Sequence, residues 1–148
     1  MKIMFVCTGN TCRSAMAEAI FKQMVDADVF SSGVMAITGD EPSGNTLDVC
    51  RAHGIDISSH RATYFKDSNI DEMDLVLTFE QFQKEKLKIY HPDLEIYTIK
   101  EFIHEYPWDI NDPVGGDYEV YEACFQEISR VLMKVKSLLK KNHYLYND

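Results

Sequence analysis

Residues 5 to 21 read FVCTGNTCRSAMAEAIF, and eight of them, Cys7-Thr8-Gly9-Asn10-Thr11-Cys12-Arg13-Ser14, concentrate side chains able to do chemistry. Gly9 and Asn10 tolerate left-handed backbone, so the segment can curl with several N–H groups pointing inward as an anion nest. Arg13 can close that ring with a planar fork suited to phosphate oxygens. A tetrahedral oxyanion is the natural guest. A thiol at the centre, beside Arg13 and a helix N-terminus, is expected as a thiolate nucleophile, and Cys7 fills that role. Ser14 is a further hydrogen-bond donor to it. Attack on phosphorus gives a phosphocysteine, with the nest and Arg13 stabilising the equatorial oxygens of the transferring group. Thr8, Gly9, Asn10, Thr11, Cys12 and Ser14 form the substrate-binding wall, and Cys12 is placed to cap an oxidised Cys7.

The leaving group needs a proton, and the candidate acid is Asp112 in Asn111-Asp112-Pro113-Val114-Gly115-Gly116. An Asp-Pro pair alone is more often a turn or a helix lead-in. The thiolate site upstream raises the functional reading, because poor leaving groups require a general acid. Likewise, the C-x5-R spacing of Cys7 and Arg13 is weak evidence by itself. An Asn, an Arg and a Ser in the same Gly-containing turn are harder to explain as mere structure.

These residues need a strand and a helix to hold them. Lys2 to Val6 reads as a short buried strand, and Ser14 to about Val25 as a helix, with Met16, Ala17, Ile20, Phe21 and Met24 at spacings of three and four. Val29 to Ser32 is a second strand. A turn-rich loop from Gly39 to Gly44 leads to a helix from about Thr46 to His53, closed by Gly54. Leu75 to Phe79 is apolar almost throughout, as a strand covered on both faces should be. A polar helix from about Glu80 to Ile89 and a strand from Leu94 to Ile99 follow. The segment from Glu101 to Gly116 is a long loop that needs a purpose beyond connection. Tyr121, Cys124, Phe125, Ile128, Val131, Leu132, Val135, Leu138 and Leu139 then mark one face of a long amphipathic helix. The expected fold is α/β: one domain over residues 1–148, a parallel sheet of about four strands with helices on both faces, and the phosphate-binding loop after the first strand.

Composition bounds the rest. A formal charge of -9 argues against nucleic acid or an anionic membrane as partner, so any anion site must be local. No run approaches a membrane span, and Ile3-Met4-Phe5-Val6 is too short for a signal-peptide core, which makes the cytoplasm the expected compartment. Eight acids and no Lys or Arg lie between Glu101 and Glu127, with bases following, an asymmetry that complements the dipole of a C-terminal helix. The four cysteines, at 7, 12, 50 and 124, have neither zinc-knuckle spacing nor a secreted context. Cys50 and Cys124 read as small core side chains. No metal or cofactor is called for.

The chain resembles the low-molecular-weight protein phosphatases, the small family usually described as tyrosine phosphatases. The resemblance covers essentially the whole length. Val6 to Ser14 matches the family's opening V-C-x-G-N-x-C-R-S, and Asp112-Pro113 matches the D-P pair that carries its acid. Ser31 and Gly33 match its S-x-G, and His60 the His of G-I-x-x-S-x-H. The resemblance implies that Ser31 and His60 hold Asn10 and the loop in shape, and that phosphorylated proteins are the substrates. On substrate the family divides. Thr11, where tyrosine-specific members usually carry a bulky aliphatic residue, and Val114-Gly115-Gly116 after D-P both resemble the protein arginine phosphatase branch. Phosphoarginine is therefore the expected target and phosphotyrosine the alternative. Two departures stand out: Ala15 replaces the usual Pro at the helix start, and Val114 replaces an aromatic common in the family. An arsenate reductase of the same fold would need a mid-chain cysteine pair, where only Cys50 is available. A cysteine phosphocarrier would need neither Arg13 nor Asp112, and a non-catalytic anion-binding module remains a third alternative.

Overall fold

The computed structural model describes residues 1–142, so the last six residues of the expected domain, 143–148, lie outside the described residues. Four strands, β1 (Lys2–Cys7), β2 (Asp28–Gly33), β3 (Leu75–Thr78) and β4 (Ile96–Thr98), form one sheet in the order β2-β1-β3-β4. Every pairing is parallel, with Cys7 opposite Gly33 and Val6 opposite Thr78. The chain runs outward from β1 to β2 and then returns to β3 on the other side of β1. The carboxyl ends of β1 and β3 consequently diverge, which is where open α/β sheets bind their ligands.

Alternation along β1 builds the two faces of the core. Ile3, Phe5 and Cys7 join one apolar cluster with helix α1 (Arg13–Met24), helix α2 (Gly44–Ala52) and helix α5 (Tyr118–Lys141). Met4 and Val6 point into the other, with Phe65, Ile70 and Leu87. Leu87 belongs to helix α3 (Gln81–Tyr90), and two 3-10 turns, Phe65–Asp67 and Ile70–Glu72, complete that layer. Eight residues of α5 are buried, each worth about 1.5 to 3 kcal/mol if an apolar side chain is fully covered. Leu138, expected on this face, is only half-buried. The helix starts where Asp117 accepts a hydrogen bond from the Val120 N–H at 3.1 Å.

The expected long loop is shorter than read. Thr98 ends β4 and begins helix α4 (Ile99–Phe102) through a reciprocal cap in which its hydroxyl accepts from the Glu101 N–H and Glu101 accepts from the Thr98 N–H. The remaining loop is pinned at both ends. Glu105 pairs with Arg130 at 2.7 Å and Lys134 at 2.6 Å on α5, while Ile110 donates its N–H to the Phe79 carbonyl and Asp109 accepts from the Gln81 N–H. Those contacts carry residues 109–113 to the carboxyl end of β3. Among the described residues, no helix is long and apolar enough to cross a membrane.

Candidate active site

The segment from Cys7 to Arg13 leaves β1 and enters α1 as a tight loop. Asn10 alone carries its left-handed turn, with φ of 57°, whereas Gly9 has no left-handed φ. The curl therefore depends on one residue, and that residue is fully buried. Its side-chain amide donates to Ser14 Oγ at 2.7 Å and to Ser31 Oγ at 3.0 Å, and its Oδ1 accepts from the Thr63 N–H at 2.9 Å. His60 donates from Nε2 to the Asn10 carbonyl at 2.8 Å. Ser31 and His60 thus both bond to Asn10. Glu18 extends the chain by accepting from Ser31. Gly33 closes the back of the loop, since a Cβ there would stand 2.5 Å from the Thr8 carbonyl oxygen and 3.0 Å from the Asn10 nitrogen.

Cys7 sits at the focus of this curl. Its Sγ lies 2.9 Å from Ser14 Oγ and accepts from the Asn10 N–H at 3.2 Å. Burial pushes the Cys7 thiol up, against the lowering pull of Arg13, Ser14 and Asn10. Burial thus opposes the expected thiolate, which Arg13, Ser14 and Asn10 favour. Arg13 is itself buried and shared with two carboxylates: its Nη1 donates to Glu80 and to the Ile110 carbonyl at 2.7 Å, and its Nη2 lies 3.6 Å from Asp112. A cation so partnered is less able to hold a neighbouring anion.

Asp112 comes to the site from the pinned loop and is exposed, its Oδ1 accepting from the Val114 N–H at 3.0 Å. Thr8, Gly9 and Thr11 are half-buried around the loop, and Thr11 Oγ1 has a long contact of 3.8 Å with Cys12. Cys12 Sγ lies 3.3 Å from Ser43 Oγ, the residue that caps α2. Burial pushes the Cys50 thiol up to about 11 and the Cys124 thiol up to about 12, consistent with core side chains. Among the described residues, no three His, Cys, Asp or Glu side chains cluster closely enough to hold a metal ion.

Sequence reasoning missed Glu80, Gln83, Glu18 and the Ile110 carbonyl. Glu80 and Gln83 left a trace as a capping pair at the start of α3, but nothing local connects them to the loop after β1. Sheet order does that.

A profile described as low molecular weight phosphotyrosine protein phosphatase matches residues 2–145. A relative from Geobacillus stearothermophilus named protein-arginine-phosphatase is 36% identical over 143 residues, 94% of this chain and 96% of that protein. One from Staphylococcus haemolyticus, named low molecular weight protein-tyrosine-phosphatase PtpB, is also 36% identical, over 93% of this chain and 99% of its own length. A solved YwlE arginine phosphatase, a cysteine-to-serine mutant with a phosphorylated active-site serine, superposes with a TM-score of 0.91 at 29% identity, covering 99% of this chain and all of that one. Such agreement over nearly the whole length shows that the chain belongs to the low molecular weight phosphotyrosine protein phosphatase family and is a cysteine phosphatase.

Proposed function

We propose that this phosphatase works through a phosphocysteine on Cys7 and that its preferred substrates are proteins phosphorylated on arginine. The convergence of Cys7, Arg13 and Asp112 at the carboxyl ends of β1 and β3 is the observation that carries the mechanism. Loop N–H groups and the Arg13 fork hold the three non-bridging oxygens of a phosphoryl group. The proton that leaves Cys7 passes to the incoming phosphoryl dianion, so that thiolate and monoanion are the reacting pair. Sulfur then attacks phosphorus in line. The S–P bond forms as the P–N bond breaks, and Asp112 donates its proton to the leaving guanidine nitrogen. In the second half, Asp112 takes a proton from water, the water oxygen bonds to phosphorus, and the S–P bond breaks to release phosphate and Cys7. The serine phosphorylation seen in the cysteine-to-serine YwlE relative supports transfer to this position.

Substrate preference rests on Thr11 and on the loop after Asp112. Thr11 sets a hydroxyl rather than apolar bulk beside the loop, which suits a polar guanidinium edge and gives little grip on a tyrosine ring. Exposed Asp112, Asp117 and Glu119 add negative charge for a cationic side chain. The protein-arginine-phosphatase relative supports this reading, while the equally identical PtpB relative supports phosphotyrosine as the second. The elevated thiol and burial of Cys50 disfavour an arsenate-reductase reading, which needs a second accessible thiol. Four unpaired cysteines suit a reducing compartment, and we place the enzyme in the cytoplasm on that ground. Phosphate release from phosphoarginine, phosphotyrosine and a generic aryl phosphate, measured side by side, tests the preference. A higher kcat/KM on phosphoarginine than on phosphotyrosine is expected, and the reverse order would transfer the assignment to tyrosine.

A further inference from the structure

Gln83 is a fully buried amide on the first turn of α3, where it forms a reciprocal cap with Glu80. Its Oε1 accepts from the N–H groups of Phe79 and Glu80, both at 2.9 Å, and its Nε2 donates to Thr8 Oγ1 at 3.1 Å. One side chain thereby ties the end of β3 to the residue that follows Cys7, across the gap where the two strands diverge. The end of β3 is not neutral ground. Glu80 holds the Arg13 guanidinium, the Phe79 ring lies 5.9 Å beneath it, and the Phe79 carbonyl anchors the loop that carries Asp112.

The direction of the bond to Thr8 has a chemical consequence. Since Gln83 Nε2 can only donate, Thr8 Oγ1 is fixed as acceptor and its own proton must point elsewhere. Thr8 is half-buried on the loop, so that proton is free to turn toward the oxyanion the loop encloses. We propose that Gln83 is a positioning residue of the phosphatase reaction, acting by orienting the Thr8 hydroxyl as a donor to the transferring phosphoryl group. This rests on the loop being the reaction site described above.

Replacing Gln83 by alanine would strand the buried Phe79 N–H and the half-buried Glu80 N–H and could unfold the site, so the informative variant is Gln83→Glu. It keeps one oxygen for those two donors. When ionised, its other oxygen can only accept, and the Thr8 proton turns away from the substrate to meet it. When protonated, the carboxyl O–H donates to Thr8 Oγ1 as the amide does. With an aryl phosphate as probe, Gln83→Glu is expected to lose about tenfold in kcat at neutral pH, with a smaller change in KM. The variant-to-parent activity ratio should rise as pH falls from about 7 toward 5. A new charge near an anion site would by itself give a similar profile, and the double variant with Thr8→Val separates the two causes. If Gln83 acts through Thr8, adding Gln83→Glu to Thr8→Val should cost less than about twofold more. An undiminished loss in the Thr8→Val background, or a pH-independent ratio in the single variant, would overturn the proposal. A parent enzyme without turnover on the aryl phosphate would instead indict the site reading on which it rests.

Discussion

In the proposed mechanism Asp112 governs the leaving group and Thr11 the choice of substrate. Asp112 stands 3.6 Å from Arg13 and is exposed, so its proton can reach a group leaving the loop. Asp112→Ala is expected to slow phosphotyrosine or phosphoarginine by about a hundredfold or more, and an activated aryl phosphate far less, in steady-state kcat. Equal losses on both would remove Asp112 from the acid role. Thr11→Ile exchanges a hydroxyl for apolar contact worth about 1 to 3 kcal/mol, so it should lower phosphoarginine turnover while raising phosphotyrosine turnover. The readout is the ratio of the two kcat/KM values. A common factor on both would mean that Thr11 serves only the shape of the loop. The chemistry of Cys7, Asn10, Arg13 and Ser14 was legible in the sequence because these residues lie within one turn. The balance of burial against Arg13 at the Cys7 thiol was not legible, since burial follows only from the packed fold.

Elements were readable in proportion to how local their signals are. Local signals placed all four strands and helices α1, α2 and α3 within about two residues, and marked one face of α5 without its ends. Helix α4 was missed although Thr98-x-x-Glu101 spells its reciprocal cap, because four residues carry no periodicity. What no local signal gave was the approach of β2 to the loop, which the absence of a side chain at Gly33 permits. Gly33→Ala should therefore displace the Thr8 carbonyl and Asn10, lowering both thermal stability and oxyanion affinity. Unchanged vanadate inhibition in that variant would show that the loop has room to give. The pairing of Glu105 with α5 makes a separate, pH-dependent prediction. Arg130 and Lys134 lower the Glu105 carboxyl to about 2, so its stabilisation is present above the ordinary carboxylate range and is lost as pH falls through about 2. The stability gap between the parent and Glu105→Gln in denaturant titrations should be small but constant from neutral pH to about 5 and close below that. Salt should shrink it, as the pair is near the surface. A gap that widens in acid would reverse the assigned sign.

For the molecule as a whole, strand order decides function. With β1 central between β2 and β3, the loop after β1 receives Ser31 from one side and Glu80, Gln83 and Ile110 from the other. With a net charge of -9, Arg13 is a buried cation at the loop rather than part of a broad basic surface. The sequence made the α/β class plain, but which distant side chains would meet the loop followed only from the order of the strands. The proposed mechanism requires covalent transfer of phosphate to Cys7. Mass spectrometry of the protein, acid-quenched during turnover of a phosphoarginine substrate, should find phosphate on the peptide containing Cys7 and attached to its sulfur. Ongoing turnover with Cys7 unmodified, and phosphate instead on another side chain, would contradict the mechanism.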